Sequence, residues 1–528
     1  MAQPIAPDYG QQFLFPPALE DWVCADDPVR FLREFVDQLD LPALGFSMPI
    51  SGEGRPPYAP SLLLKIWLYG YFQRIRSTRK LEAACQQHVS LLWLTGLIAP
   101  DHNTLWRFWQ ANQKALREVF KQTVKLALST GAVGLVLQAI DGTKIEAAAS
   151  RHSGWTREHM EELLAALDAA LAQTELKVIE ENAQAAKPGP QLPPGLAERQ
   201  ALRAEIKKGL AQLAQDQRAH YHPIEPEAHR MKISNGTNRF GHNGQIVADA
   251  KEGIIVACEV TGQETDHGQL IPMIEQAQEN LGPAAVAANP VTLADGGYGA
   301  GADLKAAIDS GKLVLAPPAE GSKRDHPYAT RYFIYDAAAH SVTCPQHQPL
   351  DHEGGTTKAG VRVERFRCHC KDCPVRAACT KDSKGRQIEV WPHTPLVQAM
   401  RKVLEQPLIA ALYGQRAEII ERRFAQLKQH DGFRRWTVWG LESVRAQWAL
   451  LCTTLNLRVL YQRWRKGGGE TPKPAAAAAL PVREGPIGRK VAALLAWGRQ
   501  WWECFPSSDR RSRFFHAGLA LFIPSQNF

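Results

Sequence analysis

From about residue 133 onwards, the chain is predicted to alternate between strands and helices in one particular order. The segment GAVGLVLQAI is a strand-like apolar run. The segment GHNGQIVADAKEGIIVACEVTG is predicted to form two strands joined by a turn at 250–253. A helix, the short buried strand VTLA, another helix, the strand KLVLAPP and a long helix from about 404 to 429 complete the series. Three strands followed by helix, strand, helix, strand and helix indicate an α/β fold with a mixed sheet.

This element order is typical of the ribonuclease-H-like fold, and three acidic residues stand at informative places in it. In that fold the ends of the first and fourth strands lie side by side, and the last helix packs across them. Asp141 ends the first strand, Asp295 follows the fourth, and Glu421 lies in the last helix. Carboxylates brought together repel one another unless cations lie between them, and Mg²⁺ binds carboxylate, water and phosphate oxygens. We expect a phosphoryl-transfer site with two Mg²⁺ (or Mn²⁺) ions, one activating the attacking oxygen and the other stabilising the leaving 3′ oxygen.

Each of these acids, taken alone, also has an ordinary structural interpretation. Asp141 precedes a glycine and could start a turn, and Asp295 stands in a similarly turn-like sequence. Glu421 could be a solvated helix charge, and Glu418, one turn earlier, competes with it for the third place. The joint placement of three acids favours the active-site interpretation. Asp266, by contrast, is predicted only to cap the helix after the third strand, with Gln269 in the capping-box position.

Residues 1–132 are predicted to form an all-α domain. Helices are expected to begin at Asp27–Pro28, at Pro60 and after Ser77, and Asn103 is expected to cap one long helix. Short helices with tight turns are typical of a helix-turn-helix that binds DNA ends, and a helical bundle with a solvated basic face is the alternative. The candidate phosphate contacts in this domain are Arg74, Arg76, Arg79, Lys80, Arg107 and Lys114.

The second domain, 133–465, is predicted to carry two insertions. Leucines and isoleucines at helical spacing on both sides of KPGPQLPPG indicate an inserted helical hairpin at 155–218. A second insertion, 319–396, shows little periodicity and contains half of the ten cysteines. Residues 466–528 comprise a Gly-, Pro- and Ala-rich linker and an unassigned tail.

The cysteines of the second insertion suggest a metal site. Cys344, Cys370, Cys373 and Cys379 offer four thiolates for a tetrahedral structural Zn²⁺, with Cys368 and His347 as further candidates. Reduced thiols without a metal are the alternative. The remaining cysteines are scattered, which argues against a disulfide framework.

Basic and aromatic side chains cluster around Glu421. Basic side chains beside a metal site can hold a phosphate backbone, and tryptophans can receive an unstacked base. Trp436 and Trp439 are interleaved here, and a core position is the favoured interpretation for each. The candidate DNA contacts are Arg416, Arg422, Arg423, Lys428, Arg434 and Arg435.

Composition narrows the class of protein further. A net charge of +8 over 528 residues is compatible with a polyanionic partner. No apolar run approaches the roughly 20 residues that span a bilayer, and MAQPIAPDYG lacks the features of a secretory signal. We therefore expect a cytoplasmic protein without a membrane partner.

Several motifs resemble those of bacterial insertion-sequence transposases of the DDE class, in the subgroup with a helical N-terminal domain and an interrupted ribonuclease-H-like core. They are YAPSLLLKIWLYGY, APDHNTLWRF, IDGTKIEAAAS, HRMK, ADGGYG, CKDCPVRAACT, IERRFAQLK and WALLCTTLNLRVL. The resemblance implies that Asp141, Asp295 and Glu421 form the catalytic triad and that Lys428 contacts the element end. In many relatives a Tyr is followed after two residues by Arg, and that Arg is followed after three residues by Glu. Tyr413 and Arg416 keep this spacing here, but Glu421 stands one residue later than the pattern places the glutamate.

The resemblance also implies an activity and its partners. The expected enzyme binds the terminal inverted repeats of its element, cleaves DNA strands, and joins the 3′ ends to target DNA as a dimer or larger assembly. The alternatives are a non-catalytic DNA-binding protein derived from a transposase and a nuclease without strand transfer.

Overall fold

The computed structural model describes residues 18–48, 56–149, 154–184, 196–233, 236–319 and 326–467. The predicted linker and tail beyond residue 467 lie outside these ranges. The chain divides into two compact units. Among the described residues, the first unit contains 18–130 together with 442–467, and the second contains 131–441.

The secondary structure elements are numbered in chain order. The helices are α1 (Pro28–Asp37), α2 (Pro60–Phe72), α3 (Thr78–Gln87), α4 (Val89–Thr95), α5 (His102–Ala111), α6 (Gln113–Ser129), α7 (Arg157–Gln184), α8 (Leu196–Gln215), α9 (Leu270–Leu281), α10 (Pro283–Ala288), α11 (Gly301–Asp309), α12 (Arg376–Cys379), α13 (Thr394–Glu405), α14 (Pro407–Tyr413), α15 (Arg416–Ala425) and α16 (Leu441–Lys466). The strands are β1 (Leu137–Glu146), β2 (Trp155–Thr156), β3 (His220–Tyr221), β4 (His229–Lys232), β5 (Asn238–Asp249), β6 (Ile255–Thr261), β7 (Val291–Leu293), β8 (Val314–Leu315), β9 (Ile334–Asp336), β10 (Ser341–Thr343), β11 (Pro349–Lys358), β12 (Val361–Arg367) and β13 (Gln387–Val390).

The helices of the first unit begin close to the predicted positions, with one exception. Asp27 caps α1 by accepting a hydrogen bond from the Val29 amide, and α2 begins at Pro60 and is buried on nearly all sides. The prediction that Asn103 caps one long helix is wrong. Asp101 is the cap, since its carboxylate accepts from the amides of Asn103 and Thr104.

The predicted long helix is also divided in two, at Asn112. The Asn112 side chain is buried, donates to the carbonyl of Phe108 and accepts from the amide of Ser47 at 2.8 Å. A side chain that hydrogen-bonds the backbone carbonyl one turn earlier competes with continuation of the helix, and the bond from Ser47 holds it in that position. This explains why α5 ends and α6 begins here.

Helix α16 belongs to the first unit, although the sequence analysis assigned it to the second domain. Its buried polar groups bond within that unit: Gln447 donates to the Tyr71 hydroxyl at 2.8 Å, and Asn456 donates to the Thr123 hydroxyl at 3.2 Å. Tyr461 donates to the carbonyl of Asp26 at 2.7 Å. Since α16 is buried on all sides through its middle, its apolar residues indicated a core helix but could not identify which core.

The second unit is built on a mixed six-stranded sheet. Its order is β4–β5–β1–β7–β8, and β6 pairs with β5 as well. Strand β5 is antiparallel to β1, β4 and β6, whereas β7 is parallel to both β1 and β8. Helix α9 packs on β5 and β6, and α15 packs on β1 and β5. The predicted α/β class with a mixed sheet is therefore confirmed.

Two details of this sheet differ from the prediction. Strand β1 does not end at Asp141 but continues to Glu146, so Asp141 and Gly142 lie inside a strand and do not form a turn. Their backbones are paired with Ile246 and Gln245 of β5. In place of the single helix predicted for 404–429, α13 ends at Glu405, and α14, α15 and a π-helical turn, Gln426–His430, follow. The break between α13 and α14 occurs because Pro407 starts a new helix.

The two predicted insertions have different structures. Helices α7 and α8 pack together around Met160, Ile206, Leu213 and Tyr221. The cysteine-rich segment forms a five-stranded antiparallel sheet of order β13–β12–β11–β10–β9. The sequence did not indicate these strands, since β11 and β12 carry many exposed polar residues and lack clear alternation. Within the described ranges, no helix combines the length and apolar character needed to cross a bilayer.

The burial of α16 predicts a large effect of truncating its central tryptophan. Trp448 is completely buried, whereas Trp439 is 62% exposed. We expect Trp448→Ala to lower the stability of the full-length protein by about 3–5 kcal/mol, because the change leaves a cavity. The matched substitution Trp439→Ala is expected to cost less than about 1 kcal/mol. Thermal unfolding of both variants tests this, and equal midpoints would contradict the packing of α16.

Candidate active site

Asp141 and Asp295 lie next to each other because their strands are parallel neighbours. The register pairs Ala139 of β1 with Leu293 of β7, and each aspartate comes two residues later. Their charges interact: burial raises the pKa of Asp141, and the negative charge of Asp295 raises it further, to about 6, against the opposing effect of Arg416. The structure thus brings these two predicted acids together.

Hydrogen bonds hold both carboxylates in position. Asp295 caps a short 3₁₀ turn and accepts from the amide of Gly297 at 2.8 Å. Oδ1 of Asp141 accepts from the amide of Gly142 at 2.8 Å, and its Oδ2 accepts from Arg416 at 3.1 Å. The pair of acids is therefore oriented by the backbone and by one arginine.

Arg416 and Tyr413 complete this part of the site. Burial lowers the pKa of Arg416, but the charge of Asp141, the hydrogen bond to it, and the charges of Tyr413 and Asp295 together leave that pKa above its ordinary value. The Tyr413 hydroxyl donates to the carbonyl of Ala294, directly before Asp295, at 3.1 Å. Arg416 was expected to contact DNA, and the structure gives its guanidinium a carboxylate partner inside the site.

Glu421 is exposed on α15. It follows Arg416 by five residues, which corresponds to about 140° around a helix, and the buried positions between them are Ile419 and Ile420. Glu418 is exposed as well. The assignment of Glu421 as third acid stays a prediction.

Lys428 lies near both Asp141 and Arg434. Burial lowers the pKa of Lys428, the charge of Arg434 lowers it further, and Asp141 acts in the opposite direction. The lysine belongs to the π-helical turn after α15. A basic side chain thus lies near Asp141.

The other basic candidates separate into buried and exposed groups. Arg423 is 7% exposed and donates to the carbonyl of Glu252 at 2.9 Å, so its predicted role as a phosphate contact is replaced by a structural one. Arg435 donates to the carbonyls of Ala147, Ala148 and Ala149 after β1. The exposed candidates are Arg422, Arg434 and Arg435 in the second unit and Arg74, Arg79, Lys80, Arg107 and Lys114 in the first, where Arg76 is half-buried.

The two tryptophans have different environments. Trp436 is 1% exposed and packs edge-on against Phe433, with ring centroids 5.2 Å apart. Trp439 is exposed, contrary to the core position favoured for it. Of these two tryptophans, Trp439 is the one with an exposed aromatic ring.

A second polar network beside the two aspartates was missed. Helix α9 begins at Leu270, so Asp266 does not cap it. Instead, Oδ1 of Asp266 accepts hydrogen bonds from Asn243 at 2.8 Å and from Gln245 at 2.6 Å. The Tyr298 hydroxyl donates to Oε1 of Gln245. Asn243 and Gln245, two amides at alternate positions directly before the apolar run IVA of β5, were the sequence signal that could have revealed this network.

The cysteines of the second insertion lie close together. Burial, together with the neighbouring thiols of Cys370, Cys344 and Cys373, raises the pKa of Cys368 to about 12. Burial also raises the pKa of Cys379, which the same three thiols raise and Arg386 lowers. The pKa values rise in part because neighbouring thiolates repel one another. A cation bound among these five cysteines would therefore stabilise their thiolate forms.

One group of possible metal ligands on the same small sheet was not predicted. Ligand atoms of His340, His352 and Glu364 lie within 4.8 Å of one another. His352 and Glu364 are 2.9 Å apart, and Arg362 also donates to Glu364, at 2.7 Å. Histidines with a glutamate can bind Zn²⁺, but here an arginine already neutralises the carboxylate.

Comparisons with known proteins agree with these features. A family model described as a transposase domain (DUF772) matches residues 17–111, and one described as a transposase DDE domain matches residues 343–461. The second range includes Glu421 and the five clustered cysteines, whereas Asp141 and Asp295 lie outside both ranges. No curated protein and no solved structure gives a significant match. The match to a transposase domain in the first part and to a transposase DDE domain in the last part of the chain supports an insertion-sequence DDE transposase.

Proposed function

We propose that this transposase binds the terminal inverted repeats of its element, cleaves DNA strands there, and joins the freed 3′ ends to target DNA. The observation that carries this proposal is the adjacency of Asp141 and Asp295 on neighbouring parallel strands. Glu421, from the helix that packs on β1, is the proposed third acid. Handling two DNA ends at once requires a dimer or larger assembly of the chain.

The sheet supports a ribonuclease-H-like core. Three antiparallel strands, β1, β5 and β6, continue through the parallel strands β7 and β8, so the order across the sheet is β6–β5–β1–β7–β8. This is the order in which the first and fourth strands of that fold are neighbours. Acids at these two strands then face one reaction centre.

The donor set fits divalent hard cations. Carboxylate oxygens are the ligands that Mg²⁺ and Mn²⁺ prefer. Burial, followed by the charge of Asp295, raises the pKa of Asp141, so ionisation of this carboxylate would be favoured by a nearby cation. Asp141, Asp295 and Glu421 would hold two such ions, which would supply Lewis acid stabilisation of the attacking and leaving oxygens. The same site serves hydrolysis and strand joining, since only the nucleophile changes.

The remaining side chains would orient the carboxylates and the DNA. Arg416 fixes Oδ2 of Asp141. Lys428 and the exposed Arg422 and Arg434 would hold the phosphate backbone, an attraction that weakens as salt rises. The basic side chains of the first unit, with Arg79, Lys80 and Arg107 exposed, would contact the terminal repeat.

We further propose that the cysteine-rich sheet binds a structural Zn²⁺. Four thiolates from Cys344, Cys370, Cys373 and Cys379 satisfy tetrahedral zinc, and Cys368 lies beside them. Binding of the cation would offset the repulsion among the thiols. The small sheet would then be stabilised by the metal in addition to its core around Phe366.

The proposed acids predict a common phenotype. Loss of a group that only orients a metal ligand costs about 10–100-fold in metal affinity or activity, so loss of a ligand should cost more. We expect Asp141→Asn, Asp295→Asn and Glu421→Gln each to abolish Mg²⁺-dependent cleavage of inverted-repeat DNA, with DNA binding largely retained. Gel assays on repeats taken from the DNA flanking the gene measure both properties.

Two further results of that assay are informative. Glu418→Gln is the control for Glu421→Gln. If Glu418→Gln loses cleavage and Glu421→Gln keeps it, Glu421 is excluded as the third acid. A wild-type protein that cleaves the repeat but joins no 3′ end would be a nuclease and would contradict strand transfer.

The raised pKa of Asp141 predicts a pH-dependent stability. Because the folded state binds this proton more tightly than the unfolded state, ionisation of Asp141 destabilises the fold above pH 6 and has no such effect below about pH 4. In EDTA, Asp141→Asn should therefore be more stable than wild type at pH 8, by up to roughly 3 kcal/mol. The difference should vanish as the pH falls to about 4.

Thermal unfolding across this pH range measures the effect. The exposed Glu418→Gln should follow the wild type at every pH. A constant difference between Asp141→Asn and wild type would show that the ionisation of Asp141 is not the cause.

The cysteine cluster predicts a bound metal. Elemental analysis of freshly purified, reduced protein should find about one zinc per chain. The double variant Cys370→Ser, Cys373→Ser should lose it and melt at a lower temperature, whereas Cys24→Ser, at an exposed cysteine, should keep it. Zinc that stays in the double variant and disappears with His352→Ala would instead assign the metal to His340, His352 and Glu364.

A further inference from the structure

Three possible metal ligands converge on the small antiparallel sheet of the cysteine-rich insertion. They come from three places in the sequence: His340 directly precedes β10, His352 lies in β11, and Glu364 lies in β12. One ligand atom of each residue lies within 4.8 Å of the other two, and Nε2 of His352 is 2.9 Å from Oε2 of Glu364. Small movements of these side chains would bring all three into contact with one cation.

The strand register places His352 and Glu364 on the same face of the sheet. His352 is paired with Phe366 in the β11–β12 ladder, and residues directly opposite each other in an antiparallel pair share a face. Glu364 is two residues before Phe366 on the same strand, so its side chain lies on that face as well. Two of the three ligands are therefore held together by a paired sheet.

The turn between β9 and β10 brings His340 to the other two. Its backbone φ is +47°, in the left-handed region that glycine and asparagine adopt most readily. The Tyr335 hydroxyl lies 3.1 Å from Nδ1 of His340 and orients the ring, whose centroid is 5.0 Å from that of His352. A histidine at this position costs backbone energy, and it places an imidazole where glycine would leave open space.

An aromatic ring shelters one side of the group. Phe366 is 1% exposed, and its centroid lies 5.0 Å from that of His352 and 5.5 Å from that of His340. An apolar neighbour lowers the local dielectric, so the carboxylate of Glu364 attracts a cation more strongly than a fully solvated carboxylate does. Both histidines are exposed on the other side, which leaves a path for a metal ion and for water.

Arg362 weakens the attraction for a cation but leaves one carboxylate oxygen for it. Its Nε donates to Oε1 of Glu364 at 2.7 Å, whereas Oε2 is the oxygen that lies beside His352. The Arg362 side chain is 76% exposed, and exposed ion pairs of this kind contribute little free energy. A divalent cation can therefore bind Oε2 while Arg362 keeps Oε1 or turns to solvent.

We propose that His340, His352 and Glu364 form a transition-metal site that binds Zn²⁺. Two imidazoles and one carboxylate are a ligand set that Zn²⁺ accepts, and water takes the fourth position. The site uses none of the cysteines and none of the catalytic acids, so it does not depend on the proposed function. Because its ligands are exposed and Arg362 opposes a cation, it fills only when zinc is added to protein that retains its tightly bound metal.

Zinc titration of the full-length protein tests the site. The protein is first dialysed against a mild chelator, which leaves only tightly bound metal. It is then titrated with Zn²⁺ in a calorimeter, with excess Mg²⁺ present to compete at carboxylate sites. We expect the wild type to bind one further Zn²⁺, and His340→Asn, His352→Gln and Glu364→Gln each to bind it more weakly by roughly tenfold or more.

These replacements are chosen to keep the fold. Asparagine tolerates the left-handed backbone at position 340, and glutamine is close in size to the residues that it replaces. Before zinc is added, all three variants should therefore melt at the wild-type temperature. On addition of zinc, the wild type should melt at a higher temperature and the variants should not, because only the wild type binds the ion in its folded state.

Two further variants on the same sheet are the controls. Asp351 is an exposed carboxylate 3.0 Å from His369, but it precedes His352 on the strand and therefore lies on the opposite face. Asp351→Asn should bind the further zinc like wild type. Arg362→Gln removes the positive charge beside Glu364 and should tighten zinc binding, by roughly twofold or more.

The outcomes decide the assignment without reference to DNA cleavage. Loss of the further zinc in the three ligand variants, with Asp351→Asn unchanged, would support the site. A wild-type protein that takes up no zinc beyond its tightly bound metal would overturn it. So would His340→Asn and His352→Gln that bind the further zinc like wild type. In each case the proposed function is unaffected, because it is measured by cleavage of inverted-repeat DNA.

Discussion

The pairing of β1 on both of its edges determines where the chemistry of this chain is located. One edge is antiparallel to β5 and the other is parallel to β7, so Asp141 has Asp295 on one side and the polar residues of β5 on the other. Because side chains alternate along a strand, a shift of one residue in either pairing would reverse the faces of Asp141 and Gly142. The long β1–β5 register, from Gln138 to Glu146, fixes the position that the short β7 alone could not.

The same arrangement concentrates negative charge where little water reaches it. Asp141 and Asp295 raise each other's energy, and the side chains that oppose this are Arg416, held at 3.1 Å, and the half-buried Lys428. Lys428 itself has a lowered pKa, since burial and Arg434 disfavour its charge. A site of this kind gains stability from an added cation, which links the fold of the metal-free protein to its proposed cofactors.

Much of this could be predicted from the sequence where the signal is local. Hydrophobic runs located the strands β1, β5, β6 and β7. Asp141 and Asp295 were recognised because each directly follows one of these apolar runs. Contacts between distant segments could not be predicted in this way. The sequence of α16 predicts a buried helix but not the domain that contains it. Contacts such as the hydrogen bond from Gln447 to Tyr71 show that it belongs to the first unit. The strands of the cysteine-rich insertion were missed because strand prediction depends on alternating apolar and polar residues. In β11 and β12 most side chains are exposed or half-buried, so this alternation is weak.

Asp266 illustrates why a local rule can select the wrong role for a polar residue. An acid shortly before an amphipathic helix satisfies the pattern of a cap, yet its carboxylate bonds Asn243 and Gln245, more than twenty residues earlier. Two buried amides in the middle of a sheet are costly unless something accepts their hydrogens, so they constrain the position of Asp266 more strongly than the helix does. The hydrogen bonds that satisfy these amides thereby place Oδ2 of Asp266 on the side of Gly297. Buried polar residues inside a core strand need partners, so they indicate such a distant contact more reliably than the local capping pattern does.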